Sequence, residues 1–595
     1  SQNYFYNLPN YSNYPFDLNY KSSGVTSFVP YKHPVVLPFA SELPSPIVMY
    51  KNVTVENRGR NGEVISKTQY DFEALEDFSQ NDDYIYTLGD KLSIEQTQNY
   101  LAHPKVKFSK YVIKNKFSQL GRLKSIKYFN NSNMLLYSKK NNYKNDLEMH
   151  GELGVREESY TSRHHLIGSI KPQAHFVNST SRVYYPNKLE STESTAGGYT
   201  AKTFFEKHDF LTGEVLETKT VTSDGKVVKS KIVPAYTKLP YQQMGSKVDN
   251  INNRNMLSQT AATYSYIQDT GDWKVTGVGI TTWNNIWNYQ DISGNISTPT
   301  ADKEKIWRKH KSYTWNGVKD NNGIFLNYND TNDDEFNWTV GVGSQPAHWK
   351  QVSEVTLYDH FSMPLEVKDI NGNKAAIKMD VLNQKVEASG NAAYNEMYYS
   401  GAEEMLHSLV GQEVRIVSAN RVNSSAHTGK FSIAATSSSE FGVYMRNGHR
   451  AGKYKLSVWV HKDNVSKARV RGTQYGTPTE FNGETQFAGD WVLKTHYFDV
   501  VTGDFYPYVT SADNTTVYFD DLMIRPIASS ITGYVYNAYD ELTHIIGNNG
   551  LATRFEYDAT GRLVKTYVEI VDDPANNVIG GFKLKSQTNY NFKNL

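Results

Sequence analysis

The chain has 595 residues, with 63 basic and 62 acidic side chains, a formal net charge of +1 and no cysteine. This length exceeds what one hydrophobic core supports, so several domains or an extended repeat body are expected. The balanced charge argues against bulk electrostatic binding to nucleic acid or an anionic membrane, and the lack of cysteine excludes disulfides, thiolate nucleophiles and cysteine-ligated metals.

Composition favours β-structure along the whole chain. Tyrosine and phenylalanine number 43 and 26, against 11 methionines, and Asn, Ser, Thr and Gly are abundant. Such residues suit pleated strands and turns, so an all-β fold is predicted. The chain contains no apolar stretch of about 18 residues that would form a membrane span. Residues 1–50, rich in Asn and Tyr, are predicted to be an extended N-terminal segment.

Residues 51–350 are predicted to form a body of degenerate β-hairpin repeats. His208-Asp209 leads into a glycine turn at Gly213, and Asp224-Gly225 marks the next turn. Phe117-Ser118 leads into a similar turn. Within this body, residues 269–350 hold seven of the nine tryptophans. The acidic loop at 329–335 offers many oxygen ligands, so it is predicted to be either a calcium site or a solvated loop.

Two segments, 351–392 and 531–595, share a repeat of 21 residues: Tyr358-Asp359 is followed by Met379-Asp380, and Tyr536-Asn537 by Tyr557-Asp558. An Asn-Gly pair follows Tyr358 and Tyr536 by 13 and 14 residues, at 371–372 and at 549–550. A fixed period indicates a repeat architecture.

Each repeat is predicted to be one β-hairpin. The Asp or Asn bonds nearby backbone, the glycine takes a positive φ, and the tyrosines pack in the sheet. We expect both segments to belong to one continuous sheet, because a single hairpin cannot bury its own face. The segment between them is then expected to be dispensable for the fold.

The run Phe-Glu-Tyr-Asp-Ala-Thr-Gly-Arg-Leu at 555–563 resembles the consensus of the RHS/YD-repeat family. The resemblance extends over 353–387 and 531–569, and more loosely over 51–231. It implies a large secreted or surface protein whose repeats wind into long β-sheets, in some members a shell around a toxin. The run 358–387 and the ending after 580 are also similar to YD-repeat surface proteins of gliding, type IX-secreting bacteria. Both resemblances imply an extracellular or outer-surface location.

Residues 393–530 have a different sequence pattern from the repeats on either side and are predicted to be an inserted β-sandwich. Strand-like runs alternate with turns, at 413–418, 429–433, 441–445, 453–461, 491–500 and 516–524. The runs at 427–432, 452–460 and 517–522 resemble those of jelly-roll carbohydrate-binding modules. This resemblance implies a sugar-binding surface.

Aromatic residues of the insert are the candidate ligand contacts, because aromatic rings stack on sugar faces. The candidates are Trp459, Trp491, Tyr475 and Tyr497. By the two-residue period of a strand, Trp459 lies on the face opposite Tyr454 and is predicted to point outward. Packing beneath a neighbouring strand or loop is the alternative for Trp459.

The jelly-roll resemblance also implies a structural calcium joining the first and last strands of the insert. The residues implicated are Glu403, Glu404, Asp520 and Asp521. Paired acids are common in proteins, so the alternative is that they have no metal. No other cofactor is expected.

The usual catalytic motifs, His-Glu-x-x-His, Gly-x-Ser-x-Gly and the Walker loop, do not occur in the sequence, so the chain is predicted not to be an enzyme. We predict a surface scaffold that displays a glycan- or protein-binding module, with adhesion, gliding or a secretion complex as its setting. Glycans, surface proteins and secretion or outer-membrane machinery are the candidate partners. The alternatives are a fragment of a toxin-encapsulating shell and a secreted polysaccharide-active enzyme.

Overall fold

The computed structural model describes the residues of fifteen segments, at 50–74, 86–88, 92–96, 105–115, 119–144, 156–166, 174–184, 187–290, 296–298, 305–341, 343–380, 382–404, 413–446, 448–474 and 477–590. The chain divides into two compact units, one of Ser1–Val278 with Gly317–Asp334 and one of Gly279–Asn316 with Glu335–Leu595.

Over the described segments the secondary structure consists of strands and short 3-10 helices, which confirms the all-β prediction. Among these residues no helix is long and apolar enough to cross a membrane.

The described residues of the first unit form fourteen complete strands. They are β1 (Asn52–Arg58), β2 (Val64–Phe72), β3 (Tyr86–Leu88), β4 (Leu92–Gln96), β5 (Lys105–Asn115), β6 (Leu123–Asn130), β7 (Leu135–Tyr143), β8 (Arg156–Leu166), β9 (Ala174–Tyr184), β10 (Leu189–Ala196), β11 (Tyr199–His208), β12 (Val215–Val221), β13 (Val227–Pro234) and β14 (Thr260–Asp269). Two 3-10 helices, Ala235–Thr237 and Leu239–Met244, follow β13.

Antiparallel pairing joins β1, β2, β6, β7, β10, β11, β12, β13 and β14 in that order. The strands β3, β4, β5, β8 and β9 form a second sheet, in which β5 and β9 run parallel. Strand β15 (Asp272–Asn284) and a 3-10 turn (Asp333–Glu335) each contain a point where the chain passes from one unit to the other.

The degenerate repeats of the first unit are hairpins at the predicted turns. The carboxylate of Asp209 accepts hydrogen bonds from the backbone N–H groups of Leu211 and Thr212, at 2.7 and 3.0 Å. Gly213 and Gly225 have φ values of 76° and 81°. These geometries match the predicted Asp and Gly roles. Phe117-Ser118 lies outside the described residues.

The acidic loop after residue 328 has a structural use. Asp330 accepts a hydrogen bond from the hydroxyl of Tyr266 at 3.1 Å, and Asp333 accepts one from the hydroxyl of Tyr264. Asp333 also pairs with Lys238 at 2.8 Å. Both tyrosines are buried in β14. These two carboxylates therefore anchor the loop to the sheet of the first unit.

The second unit continues with strands β16 to β22. They are β16 (Tyr289–Gln290), β17 (Ile296–Ser297), β18 (Arg308–Trp315), β19 (Trp349–Asp359), β20 (Pro364–Asp369), β21 (Lys374–Met379) and β22 (Val386–Gly390). Strands β18 to β22 pair successively and antiparallel.

The insert follows, and its described residues form twelve strands in two sheets. They are β23 (Tyr398–Ser400), β24 (Val414–Val417), β25 (Asn420–Val422), β26 (Ser432–Ala435), β27 (Glu440–Val443), β28 (Gly452–His461), β29 (Ala468–Gln474), β30 (Thr477–Glu480), β31 (Gly483–Ala488), β32 (Trp491–Val500), β33 (Tyr506–Ser511) and β34 (Val517–Pro526). One sheet contains β23, β25, β26, β28, β31, β32 and β34, and the other contains β24, β27, β29, β30 and β33. Two 3-10 helices, Tyr394–Glu396 and Lys462–Lys467, complete the insert.

After the insert come β35 (Ile531–Tyr536), β36 (Leu542–Ile546), β37 (Ala552–Tyr557), β38 (Leu563–Ile570) and β39 (Gly581–Gln587), with a 3-10 turn at Pro574–Asn576. Strand β22 pairs antiparallel with β35, with Ala388 opposite Gly533. The repeat strands on either side of the insert thus form one ladder, the YD sheet (β18–β22 and β35–β39). This pairing confirms the prediction of a continuous sheet.

The YD motif has a clear role in each hairpin. The aspartate begins the turn, and the carboxylate of Asp558 accepts hydrogen bonds from the N–H groups of Thr560 and Arg562 at 2.9 and 3.1 Å. The tyrosine hydroxyl donates to a backbone carbonyl of the preceding strand, as in Tyr557 to Leu542 at 2.8 Å. Tyr536 and Tyr358 make equivalent bonds. The tyrosines are therefore part of the sheet, as predicted.

Five of the six strands predicted in the insert are present over most of their length, and the run predicted at 429–433 overlaps β26 only at 432–433. The strands at 398–400, 420–422, 468–474, 477–480, 483–488 and 506–511 had not been predicted. The two sheets enclose a core that includes Phe441, Leu456, Val458, Val509 and Phe519. The strand alternation thus forms the predicted sandwich.

A second core in this unit is shared between the insert and the YD sheet. Tyr399 and Met523 of the insert pack with Leu357, Leu365 and Ile531 of the repeat strands. The insert covers apolar residues that the repeats alone would leave exposed to water. The expectation that the insert is dispensable for the fold therefore conflicts with this shared core.

The tryptophans clustered in 269–350 contribute mainly to packing. Trp287, Trp307, Trp315 and Trp349 are all buried. The Trp287 ring packs edge-on against Tyr358, with ring centroids 4.7 Å apart. Aromatic contacts of this kind stabilise a core beyond simple area burial.

Candidate functional site

Trp459, the main predicted ligand contact, lies in the interface between the insert and the YD sheet, which we call the joint. Its side chain is fully buried, and its indole N–H donates to the carbonyl of Gly550 at 2.8 Å. The structure shows the alternative that the sequence left open, packing of Trp459 beneath a neighbouring loop, so its ring is not exposed to a ligand. The strand alternation itself is correct, since Tyr454 faces the sandwich core. The opposite face is covered by the repeat turn at 547–551 instead of by water.

The other predicted ligand residues have different positions. Trp491 is 7% exposed and packs with Trp459 and Leu493 in the same joint. Tyr497 is 41% exposed, on the same face of the insert. Tyr475 lies outside the described residues. Of the described candidates, only Tyr497 has its ring available to a ligand.

A buried histidine is at the centre of the joint. His427 Nδ1 lies 2.7 Å from a carboxylate oxygen of Asp521, and Nε2 lies 2.7 Å from one of Glu569. The imidazole stacks on Trp459 at 4.0 Å between centroids. Asp521 belongs to the last strand of the insert and Glu569 to repeat strand β38. The histidine therefore links the sandwich to the YD sheet by two hydrogen bonds.

The charge state of His427 follows from these contacts. Burial favours the neutral ring, but the hydrogen bonds and charges of Asp521 and Glu569 outweigh it and raise the pKa of His427 to about 10. The ring is then protonated at neutral pH, and both ring nitrogens donate. Nearby His544 has no such partners, and burial lowers its pKa to about 4.

The four carboxylates predicted to hold calcium lie at the same joint. Both oxygens of Asp521 accept hydrogen bonds, from the hydroxyls of Tyr399 and Thr428 and from His427. The carboxylate of Asp520 accepts a hydrogen bond from the backbone N–H of His427 at 2.7 Å. These carboxylate oxygens therefore accept hydrogen bonds from groups of the protein itself.

The two glutamates are also engaged. Glu403 accepts from the N–H groups of Lys430 and Phe431, at 2.6 and 2.8 Å, and Glu404 accepts from the hydroxyl of Ser400. Burial raises the pKa of Glu403 to about 7 and raises that of Glu404 as well. Within the described segments no three acidic or histidine side chains are arranged to hold a metal ion. The calcium site stays a prediction.

The outer face of the five-stranded sheet is a second candidate surface. One row across this sheet consists of Arg415, Gly442, Tyr508, Arg471 and Glu480, which are successive partners in the strand register. Directly opposite residues of an antiparallel pair point to the same side. The neighbouring Phe441 and Val509 face the core, so this row faces away from it.

Aromatic rings and exposed charges combine on this Arg–Tyr face (Arg415, Arg469, Arg471, Glu480, Tyr506 and Tyr508). The Tyr506 and Tyr508 rings stack with centroids 5.2 Å apart, and the Arg415 guanidinium lies 4.3 Å from the Tyr506 ring. Both tyrosines are buried. The side chains of Arg471 and Glu480 are 35% and 50% exposed and lie 3.6 Å apart. The face thus has an aromatic floor beneath accessible hydrogen-bonding groups.

A cavity of about 360 Å³ lies in the tryptophan-rich part of the second unit. Trp287, His310, Glu354 and the amides of Asn284 and Asn288 line it. Its carboxylate is already paired, since Glu354 lies 2.6 Å from Lys368. The Asn284 side chain bonds the backbone of Ile286 in both directions. The cavity therefore has few free polar groups for a ligand.

Sequence reasoning missed His427, Glu569 and the Arg–Tyr face. His427 lies next to Thr428 in a polar run, and Glu569 lies 142 residues further on, so no local signal connects them. The alternation in 506–511 could have indicated Tyr506 and Tyr508 on one face of a strand.

By its fold, the chain is an all-β repeat protein with an inserted β-sandwich. Residues 536–569 match the RHS Repeat family, which covers the last YD hairpins. No curated protein matches the sequence.

Solved structures similar to the chain are of two kinds. The TcdB2-TccC3 crystal structure is 10% identical, with a TM-score of 0.20, over 91% of this chain and 34% of that one. The chain thus spans about a third of the length of that protein. A family 35 carbohydrate-binding module from Clostridium thermocellum is 14% identical, with a TM-score of 0.16, over 22% of this chain and 98% of the module. A TmCBM61 complex with β-1,4-galactotriose is 19% identical, with a TM-score of 0.13, over 22% and 88%.

Proposed function

We propose that this chain is a secreted or surface-exposed β-repeat scaffold that displays the inserted sandwich as a glycan- or protein-binding module. The observation that carries the proposal is that one sheet of the insert packs on the YD sheet while the other sheet presents a separate face. Its seven-stranded sheet packs on the YD sheet through Trp459, Trp491 and His427. Its five-stranded sheet presents the Arg–Tyr face on the other side of the sandwich.

The chemistry of the Arg–Tyr face suits a saccharide. Guanidinium and carboxylate groups such as Arg471 and Glu480 can each bond two neighbouring hydroxyls. The buried acid and histidine groups at the joint have protein partners, so they support a structural role and not catalysis. Repeat tyrosines are committed to the sheet, which leaves the insert as the part free to recognise a ligand.

A glycan array with the full chain tests the proposal, with surface exposure tested by protease treatment of intact native cells. Ligands identified on the array are then titrated against Arg471→Ala. We expect an affinity loss of about tenfold or more for this variant, as for a contact at the centre of an interface. The matched control is Lys467→Ala, near the start of the same strand, where the lysine pairs with Asp513 at 2.7 Å.

Two results would contradict the glycan form of the proposal. The first is a folded chain that binds no glycan on the array. The second is a ligand that binds the parent and Arg471→Ala equally well. Retention of a surface protein by the parent but not by Arg471→Ala would support the protein-binding form.

A further inference from the structure

We infer that the insert also has an anion site, which binds an acidic saccharide. The site is the basic shelf (Tyr497, Lys455 and Arg525) on the seven-stranded sheet. It is separate from the Arg–Tyr face, which belongs to the five-stranded sheet.

The strand register brings the three residues together. Lys455 on β28 lies opposite Tyr497 on β32 and opposite Arg525 on β34. Opposite residues of antiparallel strands have Cβ atoms about 4.5–5.5 Å apart and point to the same face. The three side chains therefore form one row across three neighbouring strands.

The shelf lies at the uncovered end of the face that docks on the repeats. Trp459, four residues beyond Lys455 on the same strand, is fully buried against the repeat turn. Tyr497 by contrast is 41% exposed, and Lys455 is half-buried. Arg525 is only 6% exposed, so a ligand can reach the row from solvent at Tyr497 and Lys455, and Arg525 contributes its charge from beneath them.

The positive charges of the shelf have no direct counter-ion. Arg525 Nη1 donates to the backbone carbonyls of Pro526 and Ile527, at 3.1 and 3.2 Å, and to that of Ser529. Arg525 Nη2 lies 3.5 Å from the carbonyl of Asn548. Across the described segments, neither Arg525 nor Lys455 forms an ion pair with a carboxylate, although the charge of Glu484 attracts Lys455. The closest acids in the register are Glu484, opposite Thr495, and Asp499, opposite Lys453.

Two like charges directly opposite each other in a sheet destabilise it. Burial lowers the pKa of Lys455 and the charge of Arg525 lowers it further, while the charge of Glu484 offsets part of this shift. An anion bound between the two cations would relieve this repulsion and gain charge-assisted hydrogen bonds. Because one anion would reduce this repulsion, the row is suited to bind a single negatively charged group.

The surroundings favour a sugar as the carrier of that group. The Tyr497 ring lies beside Lys455 and Arg525 in the strand register and can stack on a pyranose. A carboxylate or a sulfate ester on a saccharide would satisfy both features.

The test is calorimetric titration of the full chain with a galacturonate oligosaccharide, a sulfated oligosaccharide and a neutral one of matched length. We expect binding of an acidic probe that weakens with added salt, and little binding of the neutral probe. Lys455→Gln and Tyr497→Ala should each weaken acidic binding by about tenfold. Lys462→Gln is the control, because Lys462 is paired with Asp490 at the end of the same strand.

Unchanged thermal unfolding must accompany each variant. The inference is overturned if neither acidic probe binds, or if Lys455→Gln binds the acidic probe as tightly as the parent does. Binding of one acidic probe and not the other supports the shelf and identifies its anion as carboxylate or sulfate. Arg471→Ala should not alter this binding, so failure of the shelf and failure of the Arg–Tyr face are distinguishable.

Discussion

The indole N–H of Trp459 and the backbone carbonyl of Gly550 are joined by a 2.8 Å hydrogen bond across 91 residues of sequence. Trp459 belongs to the inserted sandwich, and Gly550 belongs to a turn of the YD sheet. The same turn also packs against Leu493 of the insert, 3.0 Å from where a side chain on Gly550 would begin. This contact shows that the insert is docked on the repeats rather than tethered to them.

Replacing Trp459 with alanine is expected to destabilise the fold. Removal of a fully buried aromatic side chain costs about 3–5 kcal/mol in the free energy of unfolding. Trp459→Phe should cost less, because the ring is kept and mainly the bond to Gly550 is lost. Urea unfolding measures both variants, with Tyr497→Ala as the exposed control. A Trp459→Ala variant as stable as the parent would refute the docking role.

Substitutions at the two Asn-Gly turns should differ in a defined way. Gly550 and Gly372 have φ values of 86° and 82°, so valine at either position is strained and should cost about 1–3 kcal/mol. Alanine should cost more at Gly550, where Leu493 lies 3.0 Å from the new Cβ, than at Gly372, which has open space. Equal losses for Gly550→Ala and Gly372→Ala in urea unfolding would argue against the contact with the insert.

The His427 network predicts a pH-dependent contribution to stability. The pKa of His427 is raised from 6.5 to about 10, so its charged bonds stabilise the fold fully below pH 6.5. This contribution is lost as the pH rises through the folded-state value near 10. The stability gap between the parent and His427→Gln should therefore narrow from about pH 6 to pH 10. Denaturant titrations across this range measure the gap, and a constant gap would count against a charged histidine.

Deletion of residues 395–529 with a short linker is expected to impair the repeat body. Tyr399 and Met523 would be lost from the core shared with Leu357 and Ile531. The newly exposed apolar surface should cause aggregation or a loss of cooperative unfolding. Thermal unfolding and size-exclusion chromatography provide the measurement. A monomeric, cooperatively folded deletion variant would show that the repeat sheet is independent of the insert.

Calcium binding by Glu403 and Glu404 has a direct test. The pKa of Glu403 is raised from 4.5 to about 7 by burial, so its ionisation destabilises the fold as the pH rises through 7. A bound cation would offset this cost. The calcium prediction then requires a higher melting temperature with calcium than with EDTA at about pH 8, and a smaller difference in Glu403→Gln. Equal melting temperatures in the parent would refute it.

Local features of this protein follow from its sequence alone. The 21-residue spacing and the Asp and Gly positions predicted hairpin turns, because these residues bond or bend the backbone within a few positions of themselves. Alternation in 452–461 correctly separated Tyr454 from Trp459 on opposite faces of a strand. The all-β class and the hairpin turns follow from such short-range patterns, whereas the continuity of the YD sheet depends on the pairing of β22 with β35 across the insert.

Only the tertiary structure decided what covers each face. Trp459 lies on the face that the sequence indicated, but Gly550 and Leu551, about 90 residues away, exclude solvent from it. The bonds of His427 to Asp521 and Glu569 likewise join three segments that are far apart in sequence. A strand pattern specifies two faces without specifying their neighbours, because burial depends on contacts between distant segments.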